Sequence, residues 1–221
     1  MSFFKTVKGK LIVSCQALPD EPLHSSFIMG RMALAAKEGG AVAIRAQSCI
    51  DIDEIKKVTS LPVIGLIKRN YEDSPIYITP TMAEVDELLS TECEMIALDM
   101  TNRQRPHGES VQALVERIHE AGRLVLADIS TYEEGIAAAE VNADAISTTL
   151  SGYTPYSPQL PGPDVELVTR LSKALSIPVF AEGRINVPDD ISLVMAAGAY
   201  APIVGSAITR PQLITAKFAQ K

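Results

Sequence analysis

Pro62-Val63-Ile64-Gly65-Leu66-Ile67-Lys68 is a short apolar run that ends in a single charged residue, and the same pattern recurs along the chain. A run of this length suits one buried strand and is too short for a typical helix. Similar runs begin at intervals of roughly 20–35 residues, which is about the length of one strand and one helix. We therefore predict eight strands, within residues 11–15, 41–46, 62–68, 95–100, 124–129, 145–150, 178–183 and 201–207.

The segments between these runs carry helix signals. Thr81 with Glu84, and Thr131 with Glu134, match the capping box, in which a hydroxyl and a carboxylate bond free backbone N–H groups of the first turn. None of the runs alternates cleanly, which is typical of parallel strands buried on both faces. The pattern predicts an α/β fold, a single-domain (β/α)₈ TIM barrel over residues 1–221. An open doubly wound sheet usually has a glycine-rich phosphate turn after its first strand, and residues 14–19 contain no glycine.

Composition narrows the possible partners. The net charge of -7 and the pI of about 5.0 give nucleic acid or an anionic membrane surface no electrostatic attraction. An anionic substrate would need a local basic pocket. Three cysteines without a CxxC pair indicate a reduced, cytoplasmic protein. We expect neither a signal peptide nor a membrane span, because residues 1–5 are too soon interrupted and no apolar run approaches ~20 residues.

Polar side chains follow the apolar runs. In TIM barrels the active site lies at the carboxyl ends of the strands. Burying many ionisable groups there costs stability unless they pair with one another or bind a ligand. The convergence of polar strand ends therefore predicts a functional pocket. The polar residues at these ends are Ser14, Gln16, Arg45, Gln47, Lys68, Arg69, Asp99, Asp128, Ser147, Thr148, Thr149, Glu182, Arg184, Ser206 and Arg210.

Lys68 and Glu182 end the third and seventh runs, which face each other across an eight-stranded barrel. Burial and a neighbour such as Arg45 would lower the pKa of Lys68. A neutral amine could then remove a proton next to a carbonyl or form a Schiff base, while Glu182 could exchange a proton with a substrate oxygen. Alternatively, Lys68 extends to solvent and Glu182 pairs with Arg184 or Lys68. Asp128 could orient a substrate group or cap the next helix.

A phosphate site is also indicated, by the turns Gly183-Arg184-Ile185-Asn186 and Gly205-Ser206-Ala207-Ile208-Thr209-Arg210. Barrels often bind phosphate with the loops after strands seven and eight. Glycine allows close backbone approach, and the two arginines supply charge and forked donors. Residues 151–164, with four prolines and two glycines, could be an active-site loop or a plain surface excursion.

No metal or dinucleotide motif is visible in the sequence. His24, His107 and His119 lack zinc-ligand spacing, and Asp99 with Asp128 would need a third ligand to hold a divalent ion. No Walker motif or glycine-rich dinucleotide turn occurs. We therefore predict no metal and no cofactor.

These residues resemble a known family, the N-acetylmannosamine-6-phosphate 2-epimerases of bacterial sialic-acid catabolism. The resemblance runs almost the full length. It is carried by Leu11-Ile12-Val13-Ser14-Cys15-Gln16-Ala17, Asp20-Glu21-Pro22-Leu23-His24, Ala43-Ile44-Arg45-Ala46, Ile67-Lys68-Arg69, Ile78-Thr79-Pro80-Thr81, Ala127-Asp128-Ile129-Ser130-Thr131, Ser147-Thr148-Thr149-Leu150-Ser151-Gly152-Tyr153-Thr154, Glu182-Gly183-Arg184-Ile185 and Ile208-Thr209-Arg210-Pro211. It implies a (β/α)₈ barrel that interconverts N-acetyl-D-mannosamine 6-phosphate and N-acetyl-D-glucosamine 6-phosphate without a metal or organic cofactor.

The resemblance also implies residue roles. Lys68 resembles the family's catalytic lysine, which removes and returns the C2 proton. Glu182 resembles the glutamate that assists ring opening and exchanges a proton with a sugar oxygen. Ser206 departs from an expected second glycine, which adds a donor and crowds the backbone slightly. Family members are often homodimers. The implied substrate-binding residues are Gln16, Arg45, Asp128, Gly183, Arg184, Gly205, Ser206 and Arg210.

Two rival functions share this barrel. A Schiff-base aldolase or lyase acting on a phosphorylated sugar would use Lys68 as its nucleophile. A non-catalytic sugar-phosphate sensor would bind the same ligand without proton exchange. Cys15 is expected to be a small buried residue at a strand end and not a nucleophile.

Overall fold

The computed structural model describes residues 2–219, in which strands and helices alternate as the apolar runs predict. Met1, Gln220 and Lys221, which belong to the predicted domain of residues 1–221, lie outside the described residues. The strands are β1 (Ile12–Cys15), β2 (Ala43–Gln47), β3 (Val63–Leu66), β4 (Met95–Asp99), β5 (Leu124–Asp128), β6 (Ala145–Ser147), β7 (Val179–Glu182) and β8 (Ala201–Val204). The helices are α1 (Phe3–Val7), α2 (Ser26–Glu38), α3 (Cys49–Thr59), α4 (Met82–Leu89), α5 (Val111–Glu120), α6 (Tyr132–Glu140), α7 (Val165–Ala174), α8 (Pro188–Ala196), α9 (Ser206–Thr209) and α10 (Pro211–Ala219), with a 3₁₀ turn at Pro106–Gly108.

The strands form a closed barrel in the order of the chain, and each neighbouring pair is parallel. Pairing of β1 with β8, where Ile12 lies opposite Ile203, closes the ring. The (β/α)₈ TIM barrel that the sequence predicts is therefore confirmed. Since β3 and β7 are four places apart in a ring of eight, Lys68 and Glu182 follow strands on opposite sides of the barrel.

Side chains of each strand alternate between the barrel interior and the helical layer, as the period of a strand requires. Ile12, Ala43 and Phe180 belong to the inner apolar cluster, which takes at least one residue from each strand. Their neighbours in the chain, such as Val13 and Ile44, pack under the helices instead. Both faces are thus buried, which explains why the runs do not alternate in polarity.

The short helix α1 covers the amino-terminal end of the barrel. Phe3 and Val7 are buried in the inner cluster. The ring of Phe4 packs against those of Phe180 and Tyr200, with centroids 6.5 and 6.1 Å apart. The Tyr200 hydroxyl donates a 3.0 Å hydrogen bond to the carbonyl of Phe4. Because aromatic and aliphatic side chains fill this end, the opposite, carboxyl end of the barrel is left for a polar site.

Both predicted capping boxes form, at Thr81 with Glu84 and at Thr131 with Glu134. They begin α4 and α6 at the residues that the sequence indicates and so fix where the loops above β3 and β5 end. Among residues 2–219, no helix combines the length and the apolar character needed to cross a membrane.

Candidate active site

A cavity of about 880 Å³ opens at the carboxyl end of the barrel. Its volume falls within the range of small-molecule sites. Nine of the ten site residues predicted from the sequence line it: Gln16, Arg45, Lys68, Glu182, Gly183, Arg184, Gly205, Ser206 and Arg210. The tenth, Asp128, is fully buried and does not line the cavity.

Strand alternation explains this convergence. Arg45 is two residues beyond Ala43, and Glu182 is two beyond Phe180, so each occupies the next inward position above the apolar interior. Lys68 follows Leu66 by the same interval and pairs with Ile78 in an isolated bridge just past β3. The same two-residue alternation that fills the barrel interior with apolar side chains therefore directs these polar side chains into the cavity at its carboxyl end.

The buried guanidinium of Arg45 joins two carboxylates from different strands. Its Nη1 and Nη2 atoms donate to the two oxygens of Asp128, at 3.0 and 2.5 Å. The same Nη1 atom donates to Glu182 Oε2. Arg45 and Asp128 are 1% and 0% exposed, whereas the Glu182 side chain is 12% exposed and reaches the cavity. Asp128 is placed behind Arg45, so the structure gives it contact with the arginine and no direct opening to the cavity.

The charges in this group act on one another. Burial alone would lower the pKa of Arg45, but Asp128 and Glu182 reverse this and hold it above its usual value. Burial, followed by repulsion from Asp128, raises the pKa of Glu182, against the opposing effect of Arg45. One cation faces two carboxylates here, and Glu182 therefore binds a proton more readily than an exposed glutamate.

Lys68 shares the cavity with Glu182. Burial, and then the positive charges of Arg45 and Arg210, lower its pKa from 10.5 to about 8, against the opposite effect of Glu182 and Glu21. The direction agrees with the sequence-based expectation. An amine with this pKa has a substantial neutral fraction near physiological pH, which a base or a nucleophile requires.

The turns after β7 and β8 form the neighbouring wall of the cavity, since these strands are adjacent. Gly183 has φ of 103° and Arg184 has φ of 53°, both in the left-handed region, so the backbone turns sharply there. Ser206, in the place where a second glycine was expected, is exposed on the rim and begins α9. The structure thus brings the predicted phosphate-binding residues together.

Both arginines of this wall already have partners. Arg184 donates from Nε to the carbonyl of Gly162 at 2.9 Å and from Nη1 to the carbonyl of Ser151. Arg210 forms a two-pronged ion pair with Glu21, with its Nε and Nη2 atoms each 2.9 Å from a carboxylate oxygen. Glu21 was not among the site residues predicted from the sequence. An ion pair between residues 189 positions apart leaves no local signal in the sequence.

Residues 151–164 are held beside the cavity, as expected of an active-site loop, although Tyr153 alone of this segment lines it. The hydroxyl of Ser151 donates to Asp164 at 2.7 Å, and Arg184 fastens the segment at two carbonyls. Gly152, with φ of 81°, lies directly against the Arg184 guanidinium, where a side chain would overlap it. The segment places Tyr153 on the cavity wall.

Thr149 is one of the polar strand-end residues noted in the sequence, but it was not among the predicted site residues. Its hydroxyl lies 2.7 Å from Asp128 Oδ1, 3.0 Å from Glu182 Oε2 and 3.0 Å from Arg45 Nη1. The strand-end position was visible in the sequence, but a hydroxyl there is equally typical of a helix cap.

The groups considered as metal ligands or nucleophiles have other partners. Asp99 Oδ2 accepts a 2.6 Å hydrogen bond from Arg103, and Asp128 bonds Arg45. Across residues 2–219, no three His, Cys, Asp or Glu side chains converge on a point that could hold a metal ion. Cys15 packs in the outer apolar cluster, and burial raises the pKa of its thiol to about 12, so it stays protonated.

The sequence was compared with known proteins. Residues 29–221 match the family model NanE, described as "Putative N-acetylmannosamine-6-phosphate epimerase". A Clostridium perfringens protein named "Putative N-acetylmannosamine-6-phosphate 2-epimerase" is 66% identical over 212 residues, 96% of each chain. A protein of the same name from Caldanaerobacter subterraneus subsp. tengcongensis is 53% identical over 220 residues, 99% of this chain and 93% of the relative.

Solved structures agree with the sequence matches. The structure of the N-acetylmannosamine-6-phosphate 2-epimerase from Clostridium perfringens superimposes with a TM-score of 0.98 at 64% identity, covering 99% of this chain and 95% of that one. A thiamine phosphate pyrophosphorylase from Pyrococcus furiosus, 19% identical with a TM-score of 0.60 over 96% of this chain and 97% of its own, shares the fold alone. The identities of 66% and 53% over nearly the whole chain decide the relationship, and the chain belongs to the N-acetylmannosamine-6-phosphate epimerase family.

Proposed function

We propose that this chain interconverts N-acetyl-D-mannosamine 6-phosphate and N-acetyl-D-glucosamine 6-phosphate by removing and returning the proton on C2. The observation that carries the proposal is the cavity itself. It holds an amine of lowered pKa, Lys68, and a carboxyl group of raised pKa, Glu182, on opposite sides of one barrel mouth. Family membership favours epimerisation over the aldolase or lyase alternative.

The reaction needs a base that removes a proton from a carbon atom, C2 of the sugar. The C2 proton becomes acidic only when ring opening exposes the C1 aldehyde, and the negative charge that develops on O1 then needs a nearby cation or donor. At pH 7.5 an amine of pKa about 8 is about one quarter neutral, whereas a lysine of pKa 10.5 is about one thousandth neutral. Burial therefore makes Lys68 a usable base near neutral pH, which an exposed lysine would not be. We propose that Lys68 removes and returns the C2 proton.

In this proposal Glu182 exchanges protons with the ring and anomeric oxygens of the sugar. Ring opening removes a proton from the O1 hydroxyl and delivers one to O5, so a carboxyl group that exchanges protons near neutral pH is needed. Arg45 keeps Glu182 in place and lies at the cavity, where its positive charge stabilises an enolate. Asp128 holds the guanidinium from behind through two hydrogen bonds, which makes it a positioning residue in this structure.

The remaining predicted contacts orient the substrate. The Oε1 atom of Gln16 is buried without a hydrogen-bond partner among the described residues, while its Nε2 atom donates to Ser14 Oγ at 2.8 Å. A buried acceptor of this kind suits a hydroxyl or amide N–H of the substrate. We place the phosphate against the wall formed by Gly183, Arg184, Gly205, Ser206 and Arg210. There the Arg184 guanidinium bonds two carbonyls and keeps its positive charge, while the charge of Arg210 is paired with Glu21.

The test is proton NMR of N-acetylmannosamine 6-phosphate incubated with the chain in deuterated water. We expect deuterium at C2 together with the appearance of the gluco epimer. Borohydride treatment during turnover should trap no adduct. A reduced adduct on Lys68 with cleavage of the sugar would establish the lyase instead, and binding without exchange would establish a sensor.

We further infer a single-domain, cytoplasmic homodimer. The three cysteines are unpaired, which suits a reducing compartment. None of the residues of α10 is buried, and Leu213 and Phe218 expose 46% and 87% of their surface. Leu213 also lines the cavity, and the exposed Phe218 is a candidate contact for a second copy of the chain. Sedimentation equilibrium should give twice the 23.8 kDa chain mass, and a single-chain mass would contradict the dimer.

A further inference from the structure

Thr149 lies between two carboxylates with different proposed roles. Glu182 exchanges a proton with the substrate, and Asp128 holds Arg45 in place. Its Oγ1 atom is within hydrogen-bond distance of both Asp128 Oδ1 and Glu182 Oε2, at 2.7 and 3.0 Å. On its other side the Ser147 hydroxyl lies 2.8 Å away. Because a hydroxyl has one proton, Thr149 can donate to only one of the two carboxylates at a time.

Hydrogen bonds from Arg45 do not decide which carboxylate the Thr149 hydroxyl donates to. The Nη1 atom of Arg45 carries two protons and has three acceptors within reach, on Asp128, Glu182 and Thr149. Charged acceptors form the stronger bonds, so the carboxylates take these protons. Both carboxylates then remain bonded to Arg45, and the direction of the Thr149 hydroxyl decides which of them receives an additional donor.

The protonation state of Glu182 fixes that direction. When Glu182 is protonated, the Asp128 carboxylate is the stronger acceptor, and the Thr149 hydroxyl donates to it. When Glu182 is ionised, the Thr149 hydroxyl can turn to Glu182 Oε2 while Asp128 keeps its two bonds from Arg45. The two states differ by rotation about one C–O bond, and neither leaves a buried acceptor unpaired.

We propose that Thr149 is a positioning residue whose hydroxyl rotates between Asp128 and Glu182 as Glu182 gives up or takes the catalytic proton. The role rests on the proposed function, because it requires Glu182 to exchange a proton with the substrate. The proton leaves the Glu182 carboxyl for a sugar oxygen and returns from one, so no other reactant is needed.

The charged groups around Glu182 set the sign of the effect. Arg45 of β2 bonds it directly, Asp128 of β5 lies behind Arg45, and Lys68 after β3 shares the cavity with it. Burial, and then Asp128, raise the pKa of Glu182, whereas the hydrogen bond from Thr149 favours the ionised carboxylate and lowers it. Removing the hydroxyl therefore moves the pKa of Glu182 upward, whether the group acts as acid or base.

Thr149→Val replaces the hydroxyl by a methyl group of similar size. We expect kcat to fall roughly tenfold, the size of one lost hydrogen bond to a charged group. The lower inflection of the pH profile of kcat/KM, which we assign to Glu182, should move up by about one pH unit. Thr149→Ser keeps the hydroxyl and should restore both values.

Thr149→Cys, whose thiol is a weak donor, is the second variant in case valine unfolds the chain. It should move the inflection in the same direction. An inflection at the parent position in both variants would overturn the role of Thr149. If the parent chain itself fails to exchange the C2 proton of N-acetylmannosamine 6-phosphate in deuterated water, the proposed function fails instead, and the two failures are distinct.

Discussion

Replacing Arg45 by methionine removes the guanidinium that bonds both Asp128 and Glu182, but keeps an unbranched side chain of moderate length. Both ends of the Arg45–Asp128 pair are buried, so solvent screens their interaction little. Removing one partner of such a pair costs about 3–5 kcal/mol, because the other charge stays buried without compensation. Each kcal/mol lowers the thermal midpoint of a chain of 221 residues by about 2–4 °C. We therefore expect Arg45→Met to melt about 6–20 °C below the parent.

The pH dependence of this loss has a definite sign. The pKa of Glu182 lies above its ordinary value of 4.5, first because of burial and then because of Asp128, while Arg45 opposes both. Without Arg45 the pKa of Glu182 rises further, so the folded state binds a proton more tightly than the unfolded chain. Stability then falls as the pH rises. The deficit of Arg45→Met should be largest near neutral pH and shrink as the pH falls toward 4.5.

Arg117→Met is the matched control. Arg117 is 43% exposed and forms a 2.9 Å ion pair with Asp86, a surface interaction worth about 0–1 kcal/mol. Thermal unfolding followed by circular dichroism at several pH values measures both variants. Adding Glu182→Gln to Arg45→Met removes one uncompensated charge and should recover part of the loss. If Arg45→Met melts no lower than Arg117→Met at neutral pH, the electrostatic account of this group is refuted.

Two further perturbations test the walls of the cavity. Glu21→Gln removes a negative charge that raises the pKa of Lys68, so the upper inflection of the activity profile should move to lower pH; an upward shift would contradict the assigned sign. Gly152→Ala forces a side chain into left-handed backbone and against Arg184, so urea titration should show a loss of about 1–3 kcal/mol together with a raised KM. Gly162→Ala meets no atom within 4 Å and serves as its control; equal effects of the two alanines would argue against the packing explanation.

The fold and the placement of Lys68 and Glu182 at one cavity could be predicted because both depend on local, repeated signals. Each strand is encoded by an apolar run, and the two-residue period of a strand carries straight on from Leu66 to Lys68 and from Phe180 to Glu182. Once the runs number eight and the helices between them are short, barrel closure brings the strand ends together.

The hydrogen bonds and ion pairs between side chains at the cavity could not be predicted from the sequence in the same way. The bond between Thr149 and Glu182 and the ion pair between Glu21 and Arg210 join residues 33 and 189 positions apart. Asp128 was expected at the substrate, but the long side chain of Arg45 reaches across the barrel and covers it. Such contacts depend on the diameter of the closed barrel and on rotamers, which a single sequence does not encode locally.

Chemical rescue tests whether the neutral amine of Lys68 removes the C2 proton. The rate of C2 deuterium uptake from deuterated water is measured for the parent, for Lys68→Ala, and for Lys68→Ala with added methylamine. We expect uptake to cease in Lys68→Ala and to return in proportion to the concentration of free methylamine base, while Lys57→Ala, at a 77% exposed lysine, behaves as the parent. Uptake at the parent rate in Lys68→Ala without added amine would mean that another group removes the C2 proton.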